Sequence, residues 1–222
     1  MQTQSEELMA EEYILDPSLV LYLPLYMLDG TAIMSRDAYG HSCTVTGAIW
    51  TPQGRSLDGD DFIECPTLFN AYTAGSLGIW MRTDQTSKNQ QVISKNNGSV
   101  DSVQIFLRNV TGNYEARWRT TATYVDVVFD TATNVGNNVW HFLFTTWDGT
   151  TVTAYMDGNQ KDTDNLSGTM HDNSTKLVIG AIDYPEARTY WTGTAGEAFA
   201  FNRALSNAEQ LRLYEATKWR YQ

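Results

Sequence analysis

Trp140-His141-Phe142-Leu143-Phe144-Thr145-Thr146-Trp147-Asp148-Gly149, continued by Thr150-Thr151-Val152-Thr153-Ala154-Tyr155-Met156-Asp157-Gly158, is the stretch that decides the fold class. Asp-Gly pairs at 148–149 and 157–158 bracket the run 151–156, and Asp-Gly between β-patterned runs is a strong hairpin signal. The segment therefore reads as a three-strand meander. In its first strand Trp140, Phe142 and Phe144 share one face while Leu143 lies on the other. Apolar residues on both faces mark an inner strand of a layered β structure, not a solvated edge. Outward from there, short runs rich in Val, Ile, Thr and aromatics recur between Gly, Asn and Asp clusters. Strands are expected over 19–27, 42–49, 61–65, 76–82, 90–95, 102–108, 113–119, 124–129, 139–147, 151–156, 176–180 and 195–202. One helix is expected, over 207–217. It opens with Ser206-Asn207-Ala208-Glu209, a capping box in which the serine and the glutamate each satisfy the other's backbone N–H. Ala208, Leu211 and Leu213/Tyr214 supply its apolar side. No solenoid or propeller period is present.

The chain has 222 residues and a formal net charge of -11. This length suits one large all-β domain over 13–222, preceded by a polar, acidic arm at 1–12. The acidic balance argues against nucleic acid as a partner and against docking on an anionic membrane. The longest apolar stretch, Leu19 to Leu28, is broken by Pro24 and falls short of the roughly 20 residues that span a bilayer. Met-Gln-Thr-Gln-Ser-Glu-Glu offers no basic region before an apolar core, so no secretory leader is expected. Two cysteines make neither a disulfide framework nor a zinc site. Cys43 and Cys65 each lie 11 residues from Gly54. A hairpin centred there puts them opposite one another, with a disulfide and a pair of buried thiols both open.

The order of motifs resembles a family. Asp37-Ala38-Tyr39-Gly40 with Thr44-Val45-Thr46-Gly47-Ala48, and Ser56-Leu57-Asp58-Gly59-Asp60-Asp61-Phe62-Ile63-Glu64-Cys65-Pro66, are similar to the opening of laminin-G-like jelly rolls of the concanavalin A-like superfamily. The Trp140-His141 strand, the Tyr155-Met156-Asp157-Gly158 turn and Leu177-Val178-Ile179-Gly180 fit the central strands and turn of such domains. Gly193 to Glu197, with Phe201-Asn202-Arg203-Ala204-Leu205-Ser206, fits the closing strand and its passage to the helix. The resemblance implies an all-β fold: a two-sheet antiparallel jelly-roll sandwich, one sheet convex and one concave, with a short C-terminal α-helix.

It also implies a non-catalytic module that binds glycans or proteins, often with calcium at the sandwich rim. The calcium ligands carried over are Asp37 and Glu197. The family's closing strand commonly has Asp-Glu where this chain has Gly196-Glu197, so either Glu197 with loop carbonyls completes the oxygens calcium needs or the site is lost. Asp37 equally serves a simple Asx-turn. Asp58-Gly59-Asp60-Asp61 reads as a polar hairpin or a cation-bridged cluster, and Asp157 to Asp164 as turn plus solvated loop.

Catalysis finds little support. The Glu-x-Asp-x-x-Glu strand of β-sandwich glucanases is absent, and retaining hydrolysis needs such a carboxylate pair. Gln104-Ile105-Phe106 lacks the histidine of alginate-lyase jelly rolls. His41, His141 and His171 show no Ser/Cys and carboxylate arrangement of the kind nucleophilic catalysis needs.

Ligand binding finds three candidates. Tyr184, Arg188, Tyr190 and Trp191 mix flat rings and charge within one loop. Trp118 sits between Arg117 and Arg119. Tyr39 and His41 flank Gly40 beside Asp37. Core packing is the competing role for Trp118 and Trp191. The expected function is a structural or attachment module on the surface of a virion or another extracellular assembly, with other subunits of that assembly as partners. A stand-alone lectin-like carbohydrate-binding module is the alternative.

Overall fold

The structure, a computed structural model, describes residues 16–184 and 188–222. The arm expected over 1–12 lies outside them. Sixteen strands form two antiparallel eight-stranded sheets. The first contains β1 (Leu19–Pro24), β4 (Ile49–Thr51), β5 (Gly54–Asp58), β7 (Gly75–Arg82), β12 (Trp140–Trp147), β13 (Thr151–Met156), β14 (Asn159–Asn165) and β16 (Thr192–Phe201). Its order is β14-β13-β12-β7-β16-β5-β4, with β1 also paired to β16. The second contains β2 (Ala32–Met34), β3 (Ser42–Thr46), β6 (Phe62–Glu64), β8 (Gln90–Asn96), β9 (Asp101–Arg108), β10 (Asn113–Arg119), β11 (Tyr124–Thr131) and β15 (Val178–Ile179). Its order is β11-β10-β9-β8-β15-β6-β3-β2. A short helical turn α1 (Ala132–Val135) follows β11, and α2 (Asn207–Thr217) follows β16.

The meander β12-β13-β14 forms as the two Asp-Gly turns demand. Asp157 takes a left-handed φ of 53° at the second turn. Its carboxylate accepts from the Phe142 N–H at 2.8 Å and contacts His141 Nδ1 at 2.7 Å, which gives His141 a structural role. The segment expected as a solvated loop after Asp157 is instead β14. Its residues are Asn, Gln, Lys, Asp and Thr without apolar alternation, because it is an edge strand with mostly exposed side chains. The three-residue strands β2 and β4, and β5, were likewise not anticipated. Cys43 and Cys65 do lie opposite one another, one step beyond the Thr44–Glu64 pair of β3 and β6. The intervening chain does not run as one flat hairpin: it leaves the second sheet and forms the β4-β5 hairpin in the first. Both cysteines are free, buried thiols.

The two sheets bury a shared core that includes Ile79, Leu143, Ile105, Val127, Trp118 and Trp147. The first sheet has a second apolar face. Trp80, Phe142, Phe144, Phe199 and Phe201 point away from that core and meet Leu213 of α2 and Tyr221, which follows the helix. The Trp80 ring stacks on Tyr221 at 4.4 Å and on Phe142 at 5.2 Å between centroids, and its Nε1 donates to Thr217 Oγ1 at 2.8 Å. Opposite Phe144 in the ladder stands Gly78. A Cβ there would lie 2.2 Å from Cδ2 of Phe144, so only glycine lets this ring lie on its neighbour. Helix α2 has the predicted bounds and the predicted capping box. Its buried side is Gln210, Leu213, Ala216 and Thr217, whereas Leu211 is exposed. The helix rests on the tip of an aromatic cluster, and the row through Leu213 reaches it. Among the described residues no helix is long and apolar enough to cross a membrane.

Candidate functional site

Among the described residues no long helix lies over the outward face of the second sheet. Strict alternation along β10 buries Tyr114, Ala116 and Trp118 in the core and turns Glu115, Arg117 and Arg119 outward. The same alternation along β9 turns Gln104, Phe106 and Arg108 outward. Register sets Arg117 beside Gln104 on one side and beside Asp126 of β11 on the other. A ladder results. Arg108 meets Glu115 at 2.6 Å and Asp126 at 2.5 Å. Arg117 meets Asp126 at 2.6 Å and Asp101 at 3.1 Å. Arg119 donates from Nε to Asp101. Gln104 donates to Asp101 at 3.1 Å and accepts from Asn96 at 2.8 Å. Burial works against the Arg117 charge, but Asp126 and Asp101 outweigh it and hold this guanidinium ionised beyond the ordinary arginine range.

Over this ladder lies a polar cleft of about 330 Å³, with Gln91, Asn96, Gln104, Phe106 and Arg119 in its wall. Ile182 and Thr189 also border it. Pro185, Glu186 and Ala187, between these two, lie outside the described residues. Tyr184 packs against Gly98 of the cleft wall: a Cβ on that glycine, whose φ is +82°, would touch the tyrosine ring at 3.0 Å. Arg188 turns aside to pair with Glu64 at 2.9 Å and lies 3.9 Å over the Phe62 ring. Tyr190 leans on the other side of the same cluster, 6.4 Å from Phe62.

Trp118 and Trp191 are fully buried. Trp118 donates to Thr145 Oγ1 at 2.9 Å inside the core, so neither indole offers a face to a dissolved ligand. The neighbours of Trp118, Arg117 and Arg119, line the cleft. Asp101, Phe106, Arg108, Glu115 and Asp126 were not singled out. A period-two reading of Glu115-x-Arg117-x-Arg119 against Tyr124-x-Asp126 would have found most of the ladder.

Tyr39 lies elsewhere, half-exposed, stacked on His41 at 5.8 Å and donating from its hydroxyl to the Pro17 carbonyl. Asp37 forms the Asx-turn. One of its oxygens accepts from the Tyr39 and Gly40 N–H groups, and the other accepts from the Tyr22 N–H at 2.9 Å. Glu197 is buried, accepts from the Tyr22 hydroxyl at 2.7 Å and pairs with Arg220 at 2.9 Å. Burial raises its pKa, opposed by Arg220 and by the Tyr22 hydroxyl. These two carboxylates do not fit a calcium ion as arranged: Asp37 already accepts from three backbone N–H groups, and the Arg220 guanidinium already neutralises Glu197. Gly196 has a physical reason here. A Cβ would strike the Tyr221 hydroxyl oxygen at 2.6 Å, and that oxygen accepts from the Glu197 N–H at 2.8 Å. Asp58, Asp60 and Asp61 bring ligand-type oxygens within 4.8 Å of one another. Asp61 is buried and accepts from the Asp58 N–H at 3.1 Å; burial, together with the Asp58 and Asp60 charges, raises its pKa. This closes a polar turn before β6.

Comparison with known proteins agrees with this architecture. The sequence matches a laminin-G-type family, described as the concanavalin A-like lectin/glucanases superfamily, over residues 57–209. No curated protein matches it. Among solved structures, the binding domain of botulinum neurotoxin DC in complex with SialylT superposes with a TM-score of 0.70 at 16% identity, over 90% of this chain and 51% of that one. The receptor-binding domain of botulinum neurotoxin D gives 0.67 at 18%, over 89% and 52%. That of type G gives 0.68 at 15%, over 89% and 51%. This chain spans about half the length of those structures, and at such identities the likeness is one of fold. Family match, sheet order and roofing helix agree: the chain belongs to the laminin-G-type family of the concanavalin A-like lectin/glucanase superfamily.

Proposed function

We propose that this domain is a non-catalytic attachment module that holds a glycan in the cleft over β8–β11. The observation that carries the reading is the cleft itself. Its size is that of a small-ligand site. Its wall is made of amide and guanidinium groups suited to sugar hydroxyls, with the Phe106 ring among them. Each carboxylate beneath it is engaged by at least one arginine, so none is free to give or take the proton that glycoside hydrolysis requires. Solved neighbours of the same fold carry descriptions of complexes with SialylT and with rat synaptotagmin II, which makes glycans and protein receptors the classes to test first.

The test is retention of the purified protein on a glycan array. Binding is expected, with loss on Gln104→Ala or Phe106→Ala and no change on Tyr39→Ala, which lies away from the cleft. Absence of glycan binding, or equal binding by the cleft variants, overturns the reading.

A further placement, on the surface of a virion or other extracellular assembly beside other protein subunits, draws support from the opposite side of the sandwich. There the sheet edges β2 and β4 lie, and Leu28 and Ile49 are 77% and 69% exposed, with Met27 and Met34 also exposed. Native mass measurement, with a search for the protein in purified particles, tests it. A strict monomer absent from every particle overturns this placement and leaves the attachment reading standing.

A further inference from the structure

We infer that the cleft selects a glycan residue bearing a carboxylate, held by the terminal nitrogens of Arg119, with Gln91 Oε1 accepting from a hydroxyl of the same ligand. The inference rests on the reading of the cleft as a glycan site.

Two open hydrogen-bonding positions in the cleft wall define this chemistry. The first is a donor. Arg119 uses Nε on Asp101, and among the described residues nothing accepts from its Nη1 and Nη2. A guanidinium anchored at Nε presents the other two nitrogens as a fixed planar fork, whose geometry matches a planar carboxylate. The second is an acceptor. Gln91 is a cleft residue only 8% exposed, and its buried Oε1 has no hydrogen-bond partner. A buried acceptor left unsatisfied is unfavourable, so a ligand hydroxyl that reaches it gains more than one meeting solvated groups. A donor fork and a buried acceptor in one cleft describe a polyol with an acid group.

Depth within the ladder gives the same sign. Its three arginines and three carboxylates balance in number. Yet the Asp101 and Glu115 side chains are 6% and 4% exposed, against 28% for Arg119 and 26% for Arg108. Asp101 and Glu115 lie beneath, with the Arg119 and Arg108 guanidinium groups above them, while Arg117 and Asp126 stand nearly level at 14% and 22% exposed. A chain of net charge -11 repels an anionic ligand at long range. Beyond the Debye length of about 8 Å at physiological ionic strength that repulsion is largely screened, so the local fork decides.

The experiment is an array of carboxylated glycans printed beside their methyl-esterified counterparts and beside sulfated ones, read with the full chain and its variants. Binding to carboxylated glycans is expected to exceed binding to the esters by about tenfold or more, the worth of one charge-assisted contact. Arg119→Gln and Arg119→Lys should both erase the preference, the second because it keeps the charge but loses the fork. Arg212→Gln, on the exposed side of α2, should leave the preference intact. Equal binding to acids and esters overturns the inference and leaves the glycan reading standing, as does a preference untouched by either Arg119 variant or a stronger preference for sulfates. The acid-against-ester comparison needs no variant, so it holds even where a substitution fails to fold. No retention on any glycan overturns both readings.

Discussion

The two sheets obey the same pleat, yet their outward faces have opposite fates. On β12 the alternate residues are Trp140, Phe142 and Phe144, and the face they form is roofed by α2 and sealed by Tyr221. On β10 the alternate residues are Glu115, Arg117 and Arg119, and the face they form stays open as a cleft. Position along the strand is equivalent in the two cases. What differs is the free energy of contact with water: large rings demand cover, whereas paired ions avoid the desolvation cost of burial at a surface that water reaches. A sheet face is therefore made into interior or into site by the chemistry of every second residue.

Breaking the roofed face should have the largest effect. Trp80→Ala removes a ring stacked on both sheet and helix, and it is expected to lower the unfolding free energy by about 4 kcal/mol in denaturant titration. The open face comes next. Arg117→Met leaves Asp101 and Asp126 short of their shared counter-charge, with an expected loss of about 3 kcal/mol. Because the inter-sheet core separates the two sites, the double variant should be additive within about 0.5 kcal/mol. A larger coupling would show that the faces are not independent.

The smallest effect concerns how the roof is hinged. Arg203, more than any other neighbour, holds Glu209 at a pKa of about 2, helped by Ser206. A depressed carboxylate stabilises the fold above its unfolded value near 4.5 and ceases to do so as pH falls towards 2. Glu209→Gln should flatten thermal stability across that window. The difference at neutral pH should stay under about 1 kcal/mol, since the pair is partly solvated.

Legibility in the sequence depends on the range of the interactions. The capping box spans three residues, and α2 was readable to its end residues. The meander was readable because its turns are dipeptides. Those turns call for a third strand, but the residues of β14 do not mark its extent, because an edge strand needs no apolar alternation to pair. Trp118 drew notice as a large ring, but its direction depends on which face of β10 is core, and only the register with β9 and β11 fixes that. Arg220 reaching Glu197 from beyond the helix left no local trace at all. Of the segment 184–191, which stands out in the sequence for its residue mixture, Thr189 borders the cleft, whereas Arg188 pairs with Glu64 and Trp191 is buried.

Strand β16 joins segments made far apart in time. It pairs with β7 on one side, and on the other with β5 along its first half and with β1 along its second, so that Leu19 stands opposite Phe201. Such pairings must close very long loops before they return any contact energy, and topologies of this kind fold in milliseconds to seconds, not microseconds. Until β16 docks, the rings of β7 and β12 stand uncovered on one side and the core lies open on the other. Any chain that has paired β7 with β12 before β16 docks therefore exposes apolar surface on both faces of the first sheet.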